Sequence, residues 1–592
     1  MRLLLFILFF SFCLVSIGQS LTTQISDTTP VFSDLHMHLS LKKFYQKLEY
    51  DSTLNWKAYN DKVKPILKGK RSTFKNYIEA DYAHLDGLNY DIVCESLMPL
   101  EKNTVNRSYK RVLNNMGTKI RFRRLKKVNE EANTSFNEMM TQYRFLEMQS
   151  VRNPFNLNST TGFQLVKNKS DLLQARNQGL TAVVLTLEGG NSFYGPINSS
   201  NVKTAGNHFD TDSWQTEILA NINVVKNFEH KVFYTSLTHF GWTRIAGQGK
   251  AIDHEAPFIR GLSQLLSSQG LTHKALHNKW ASGLIDSVII GNRHIDPETC
   301  TFKSDEYFKT NAFASRVLDQ LLDSTGKHRS PIYIDIRHMD VQARVDYYTY
   351  LQNRKGGETI PIIMSHAAVS GENLSYALLT GNGPWYDRYP EVKNPFKFYK
   401  RHARKDSCFL KSGFIHDKNI TGWFNPWSVN LANEEIPVIY RSNGLIGLIF
   451  FDLTLGTTMI NYKKRNKKEY TQELLHTNYA KRAGLSEADV KDFYKMESFL
   501  RNMFYIVEKS GRSDSTAWNH ICVGSDFDSG MDPIDISPTA QYMPHFYRQM
   551  IRLIPLYAEI NRKESLLFNL SPEEITRKIF HGNMYRFMMR YF

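Results

Sequence analysis

Short apolar runs, each ending in a chemically capable polar residue, recur along this sequence from its first hundred residues to its last. Val31-Phe32 leads into Asp34-Leu35-His36, Ala182–Leu187 into Glu188, and Val232–Leu237 into Thr238-His239. Ile332–Ile336 leads into His338, Ile362–Met364 into His366, and Ile521–Val523 into Asp526, with Leu445–Phe451 a further run of the kind. Runs this short and rich in Val and Ile read as strands buried on both faces of a parallel sheet. Helical periodicity follows several of them, over Asn311–Asp323, Val341–Asn353 and Met543–Asn561. Strand, functional residue and helix in alternation predict an α/β fold, a (β/α)8 TIM-type barrel. In such a barrel the active residues gather at the C-terminal ends of the strands.

The stretches between these units are long. Residues 42–175 are mostly helical in pattern, carry many charges and aromatics, and offer no obvious barrel strand. Residues 195–230, 271–310 and 372–430 are loop-rich, with Asn, Gly, Pro and Trp. Segments of this length inside a compact domain are usually functional or form their own subdomain, and they are expected here as insertions over the barrel mouth. No internal repeat or low-complexity tract breaks the pattern. The expected organisation is a leader over residues 1–20 and one barrel with insertions over 21–592.

The leader consists of Met1-Arg2, an apolar stretch from Leu3 to Ile17 and a small-residue exit at Ser16-Ile17-Gly18, which fits a secretory signal peptide. The stretch is shorter than the roughly 20 residues a spanning helix needs. An exported protein, secreted or periplasmic, is therefore expected. The formal net charge of +16 falls to about +15 without Arg2, and local clusters lie at Lys119–Lys127, Lys400–Lys405 and Lys463–Lys468. Such runs are usually solvated faces, so nucleic-acid binding is not expected. Anionic cell-surface material is the more natural partner for an exported basic chain. Beyond Cys13 in the leader, Cys94, Cys300, Cys408 and Cys522 form no CxxC pair, which argues against a cysteine zinc site. Export permits disulfides, and Cys300 and Cys408 both lie in loop-like sequence; Cys522, in an apolar run, reads as a buried thiol.

Chemistry enters with Asp34-Leu35-His36-Met37-His38. In a strand, residues two apart point to the same side, so His36 and His38 are placed to grip one metal together. Glu188, at the end of an apolar run, is costly to bury unless it is paired or bound to metal. Gly189 and Gly190 after it allow close backbone approach. Taken singly, Glu188 fits a structural ion pair, and His338 and His366 fit satisfied core histidines. Two consecutive strands ending in His, with HxH, Glu and Asp526 at other strand ends, make a set that predicts a two-metal site. Two metals would lower the pKa of a shared water and polarise a carbonyl, and Asp526 would accept the water's proton. His208, His230, His254, His294, His416 and His520 lack this setting.

These segments resemble the membrane (renal) dipeptidase family of metallopeptidases, in the amidohydrolase superfamily. Thr186-Leu187-Glu188-Gly189-Gly190 resembles its IEGG strand end, Ser236-Leu237-Thr238-His239 its LTH segment, and Ile334-Asp335-Ile336-Arg337-His338 its IDxSH. Ile363-Met364-Ser365-His366-Ala367-Ala368 is similar to FSHSSA, and Asn430–Ile436 with Asn443–Gly447 to NLxDEEI…GGxxG. Val523–Asp528 is similar to GGDFDG, and Gly582–Phe587 to the C-terminal GNxxRxF. The resemblance covers most of 31–40, 180–270, 311–370 and 430–592.

The resemblance implies a metal-dependent hydrolase that cleaves an amide bond of a small peptide-like substrate by a metal-bridging hydroxide. It implies two divalent metal ions, zinc being the first choice. His36 and His38 would hold the first, Glu188 would bridge both, and His338 and His366 would hold the second. Asp526 would be the metal-linked proton acceptor, and His239 would contact the substrate and help stabilise the tetrahedral intermediate. The same barrel would also suit a lactone, an N-acyl amino acid or a modified peptide, or a binding protein without catalysis.

Three departures stand out. The family's first motif is HxD where this chain has HxH, and Ser529 stands where the family has Gly. The arginine that the family places after the second histidine is absent from Ala367–Ala377 and from Trp427-Ser428-Val429. The intervening insertion holds Arg388, Arg401 and Arg404, of which Arg401 and Arg404 are the substrate-binding candidates. Carboxylate recognition is therefore expected to be lost or rebuilt, with plain dipeptides poorer substrates than larger or blocked amides.

Overall fold

Strand β1 (Phe32–Met37) is buried along its whole length, and its alternate residues Phe32, Asp34 and His36 share one face. The computed structural model describes residues 29–46, 51–57, 78–100, 124, 134–156, 161–195, 212–239, 245–246, 313–339, 341–371, 424, 429–456, 466–529 and 533–592. Parallel to β1 lies β2 (Tyr90–Leu97), followed in chain order by β3 (Phe163–Leu165), β4 (Thr181–Leu187) and β5 (Val232–Ser236). Then come β6 (Tyr333–Asp335), β7 (Ile363–Ala367), β8 (Leu445–Leu448) and β9 (Ile521–Val523). The ladder runs β1-β2-β4-β5-β6-β7-β8-β9, with β3 a short addition beside β4, and every pairing is parallel.

The two ends of this ladder meet. Asp526 N donates to His36 O at 2.9 Å and His38 N to Phe527 O at 3.0 Å, so the chain just past β9 is stitched to the end of β1. The Asp34 carboxylate adds a side-chain bond across the same seam, its Oδ1 accepting from Ser525 N and from His36 N, each at 3.0 Å. Eight parallel strands thus form a nearly closed barrel of the (β/α)8 type. On the inner wall, Gly447 and Gly524 face the Ser365 carbonyl so closely that a Cβ on either would strike it. Only glycine lets these strands approach there.

Helices fill the crossovers: α1 (Ser135–Glu147), α2 (Lys169–Asn177), α3 (Asp212–Lys226), α4 (Phe313–Leu322), α5 (Val341–Asn353) and α6 (Glu435–Arg441). Before β9 runs the long α7 (Glu487–Lys509), opened by a reciprocal Ser486–Asp489 capping box; α8 (Met543–Asn561) and α9 (Asn583–Tyr591) follow β9. Phe587 and Phe592, in and after α9, pack edge-on against Phe233 of β5. Asn583 donates to the carbonyls of Trp518 and Ile521, which ties the C-terminal helix to the start of β9. Among the described residues no helix is long and apolar enough to cross a membrane.

Two expected insertions are corrected. The stretch 42–175 contains β2, a barrel strand, and β3. Asp91, Cys94, Glu95 and Ser96 break the apolar pattern of β2, yet all are buried because each faces a partner or the packed interior. The stretch 195–230 contains α3, the helix of an ordinary crossover after β4. Cys94 and Cys522 are buried free thiols. Residues 1–20, 271–310 and nearly all of 372–430 lie outside the described residues, as do Cys300, Cys408, Arg388, Arg401 and Arg404.

Asp34→Ala would leave two buried backbone N–H groups without their acceptor at the barrel seam. We expect the metal-stripped variant to unfold in urea earlier by about 2–5 kcal/mol with an unchanged slope. An unshifted midpoint would show that the seam holds without this carboxylate.

Candidate metal centre

The strand-end histidines expected from the sequence converge on Glu188, and Asp526 stands beside two of them. Glu188 immediately follows β4 and is almost fully buried. Its Oε1 lies 3.0 Å from His338 Nε2, 3.5 Å from His366 Nε2, 3.6 Å from His239 Nε2 and 3.7 Å from His36 Nε2. Its Oε2 faces the other way, 3.2 Å from His38 Nε2. Asp526 Oδ1 lies 3.5 Å from His38 Nε2 and 3.7 Å from His36 Nε2. His338 and His366 bring their Nε2 atoms to 3.1 Å. Two nitrogens bound to one zinc at about 2.0–2.1 Å stand roughly 3 Å apart, so this pair has the bite of a shared ion.

Among the described residues, three groups have ligand atoms close enough to share an ion: His36, His38 and Glu188; Glu188, His338 and His366; and His36, His366 and Asp526. His36 Nε2, His38 Nε2, Glu188 Oε2 and Asp526 Oδ1 are all buried, and none has a hydrogen-bond partner. Orphaned buried polar atoms are costly. These four, all of nitrogen or carboxylate type and distributed over the ligand groups above, fit divalent metal of the zinc kind.

The other side of each ring is fixed by a second layer. His36 Nδ1 lies 3.1 Å from Tyr234 Oη, whose proton goes to Leu35 O at 2.7 Å, so the imidazole N–H is the donor. His38 Nδ1 donates to Ser96 O at 2.8 Å. His366 Nδ1 lies 2.8 Å from Ser365 Oγ, whose proton goes to Asp335 Oδ2 at 2.6 Å. In all three the proton sits on Nδ1 and the Nε2 lone pair faces the cluster, the tautomer a metal ligand needs. Nothing local in the sequence marks Tyr234, Ser96 or Ser365 for this part. For Asp335 a usable signal is the repeated Asp two residues before a strand-end His or Arg, in Asp34-Leu35-His36 and Asp335-Ile336-Arg337. Each Asp accepts from the backbone N–H two residues on and from the neighbouring strand, Ser525 N for Asp34 and Ser365 N for Asp335.

Burial shapes the charges. It pulls His338 down to about 3 and His239 to about 4, so both rings are neutral at ordinary pH. His366 is likewise held well below its usual range by burial, with the Arg337 charge acting in the same direction. Glu188 stays ionised, because the surrounding imidazoles outweigh the burial that opposes its charge. Asp34 is pushed up to about 6 by burial.

Backbone shape does part of the positioning. His338 and Asp526 adopt left-handed φ values of 67° and 60°, uncommon for residues with a side chain and typical of strained functional positions. Gly189 and Gly190 serve a purpose other than the one expected. A Cβ on Gly189 would crowd Asn191 and His239, and one on Gly190 would strike Leu237 O. The glycines therefore admit the loop after β5, which carries His239 to Glu188.

No protein-family model and no curated protein matches this sequence. Among solved structures the chain is similar to a metallopeptidase from Rhodobacter sphaeroides liganded with a phosphinate mimic of the dipeptide L-Ala-D-Ala. The identity is 11% and the TM-score 0.43, over 95% of this chain and 100% of that one. It is similar to dipeptidase AC, a metallopeptidase, at 10% identity and TM-score 0.41, over 95% and 99% of the two chains. It is also similar to an amidohydrolase from Pseudomonas aeruginosa, at 11% identity and TM-score 0.37, over 95% and 96%.

Proposed function

We propose that this chain is a metal-dependent hydrolase that cleaves an amide bond in a small peptide-like substrate. The observation that carries the reading is the pair of buried ligand sets that share Glu188, one with His36 and His38 and one with His338 and His366, beside Asp526 at the barrel mouth. In this reading His36, His38 and Glu188 hold one divalent ion and Glu188, His338 and His366 a second. Bound there, the ions would acidify a water and polarise a carbonyl.

The protein's own groups have separate parts. Asp526, at the end of β9 beside both His36 and His38, takes the proton of the attacking water. His239, neutral and 3.6 Å from Glu188, stands on the rim where a substrate carbonyl oxygen would develop charge, and donates a hydrogen bond to it. Tyr234, Ser96 and Ser365 hold the rings in the binding tautomer. Barrel walls of buried aliphatic side chains keep the surroundings dry, which strengthens every charge interaction inside.

The reading is tested by metal analysis of the purified full chain after zinc loading, together with hydrolysis of a panel of dipeptides and N-acyl amino acids. A chain that takes up no divalent metal would overturn it. Glu188→Gln is expected to weaken metal binding by more than the roughly 10–100-fold that loss of an outer partner costs, whereas Ser365→Ala should stay within that range. Equal effects of the two, measured by competition with a metal chelator, would contradict the bridging role.

Asp526→Asn should keep most of the bound metal and lower kcat by roughly 10²–10⁴-fold. Turnover near that of the unaltered protein would remove Asp526 from the role of proton acceptor.

A further inference from the structure

Arg337 brings a charge to the barrel mouth without a carboxylate of its own. It lies between Asp335 and His338 and is only 4% exposed. Its Nη1 donates to Val429 O at 2.9 Å, and Val429 sits beside the segment that bridges Val369 past the end of β7. Its Nε is buried with no hydrogen-bond partner. The acidic groups whose fields reach it are Asp526, Asp335 and Glu188, and each is committed elsewhere. Asp335 accepts from Arg337 N, Ser365 N and Ser365 Oγ. Glu188 is ringed by imidazoles, and Asp526 Oδ1 faces His36 and His38.

Arg344, on α5, shows what a purely structural buried arginine looks like in this molecule. Its Nε and Nη2 form a two-pronged pair with Glu435 at 2.6 and 2.8 Å, and its remaining donors reach Met339 O and Asn430 O. Arg337 has no such partner among the described residues. Buried charge without a counter-charge is strongly unfavourable. Metal bound by Glu188 and Asp526 would draw on the same negative charge that now offsets the guanidinium. A ligand anion is then the missing counter-charge, and a planar guanidinium with unused N–H groups matches a carboxylate in shape and donor geometry.

We propose that Arg337 recognises a carboxylate of the substrate and so sets specificity for free-acid substrates at this mouth. The proposal rests on the metallohydrolase reading above. In it Arg337 anchors the carboxylate while the neighbouring ligand cluster faces the amide to be cleaved, and it takes no part in moving protons.

The test is equilibrium calorimetry on the zinc-loaded full chain with a ketomethylene isostere of alanyl-alanine, which has no amide to cleave, and with its C-terminal amide. The unaltered protein should bind the acid at least about tenfold tighter than the amide, the scale of one charge-assisted hydrogen bond. Arg337→Met should bring the two within about threefold, and Arg337→Lys, which keeps the charge and loses the fork, should fall between. Metal content measured on each sample reads the metallohydrolase proposal separately: absence of metal from the unaltered chain overturns that reading, while the acid-to-amide ratio reads Arg337. Because the ratio is internal to each sample, partial unfolding lowers both affinities and leaves it unchanged. If Arg337→Met does not fold, Arg337→Lys decides. Full acid preference retained in the folded variant, or none in the unaltered protein, would show that Arg337 is only a strut for Val429.

Discussion

Glu188 is an ionised carboxylate in a place that water does not reach, and the mouth of the barrel is arranged around that charge. Its two oxygens meet imidazole nitrogens from β1, from the loop after β5, from the end of β6 and from β7. Removing the carboxylate from any one of these contacts would leave a buried polar atom on a different strand. Elements far apart in the chain therefore answer to the same charge. The neutrality of His338 and His239 follows from the same burial.

A second circle of contacts makes this arrangement rigid. Asp34 and Asp335 use one device, an Asp that caps its own strand end and also holds the backbone of the next strand. At Asp34 the device seals the seam between β1 and the chain after β9. At Asp335 it runs on through Ser365 to the His366 ring. Glu95, pushed up to about 7 by burial, does comparable work beyond β1, its side chain accepting from Leu39 N and Ser40 N. Closure of the barrel and orientation of the ligands are thus products of the same few hydrogen bonds, which is why the site is precise although several of its members stand on loops.

Some of the motifs shared with the dipeptidase family prove architectural in this molecule. Glu435, from the Asn430–Ile436 segment, caps Ala432 N and pairs with Arg344, fixing α6 against α5. Asn583, from the C-terminal motif, ties α9 to β9 at the opposite end of the barrel from the ligand cluster.

Periodicity and residue type alone were enough for the barrel class and for seven of its eight strands, and they singled out the strand-end residues that the fold gathers at the mouth. Apolar runs mark strands buried on both faces, and a polar residue ending such a run is costly unless it has work to do. The missed strand, β2, carries Asp91 and Glu95, whose compensation comes from Arg176 and from Leu39 and Ser40, all distant in sequence. For the same reason no local pattern singled out Arg337, which forms no ion pair with a carboxylate among the described residues. The left-handed turns at His338 and Asp526, the tautomers set by Tyr234, Ser96 and Ser365, and the meeting of His239 with Glu188 are likewise decided only when the strands close. A linear sequence records which groups are able to act. Which of them share a dry space, and therefore feel one another's charge, is fixed by the tertiary structure, because burial is what makes those interactions strong.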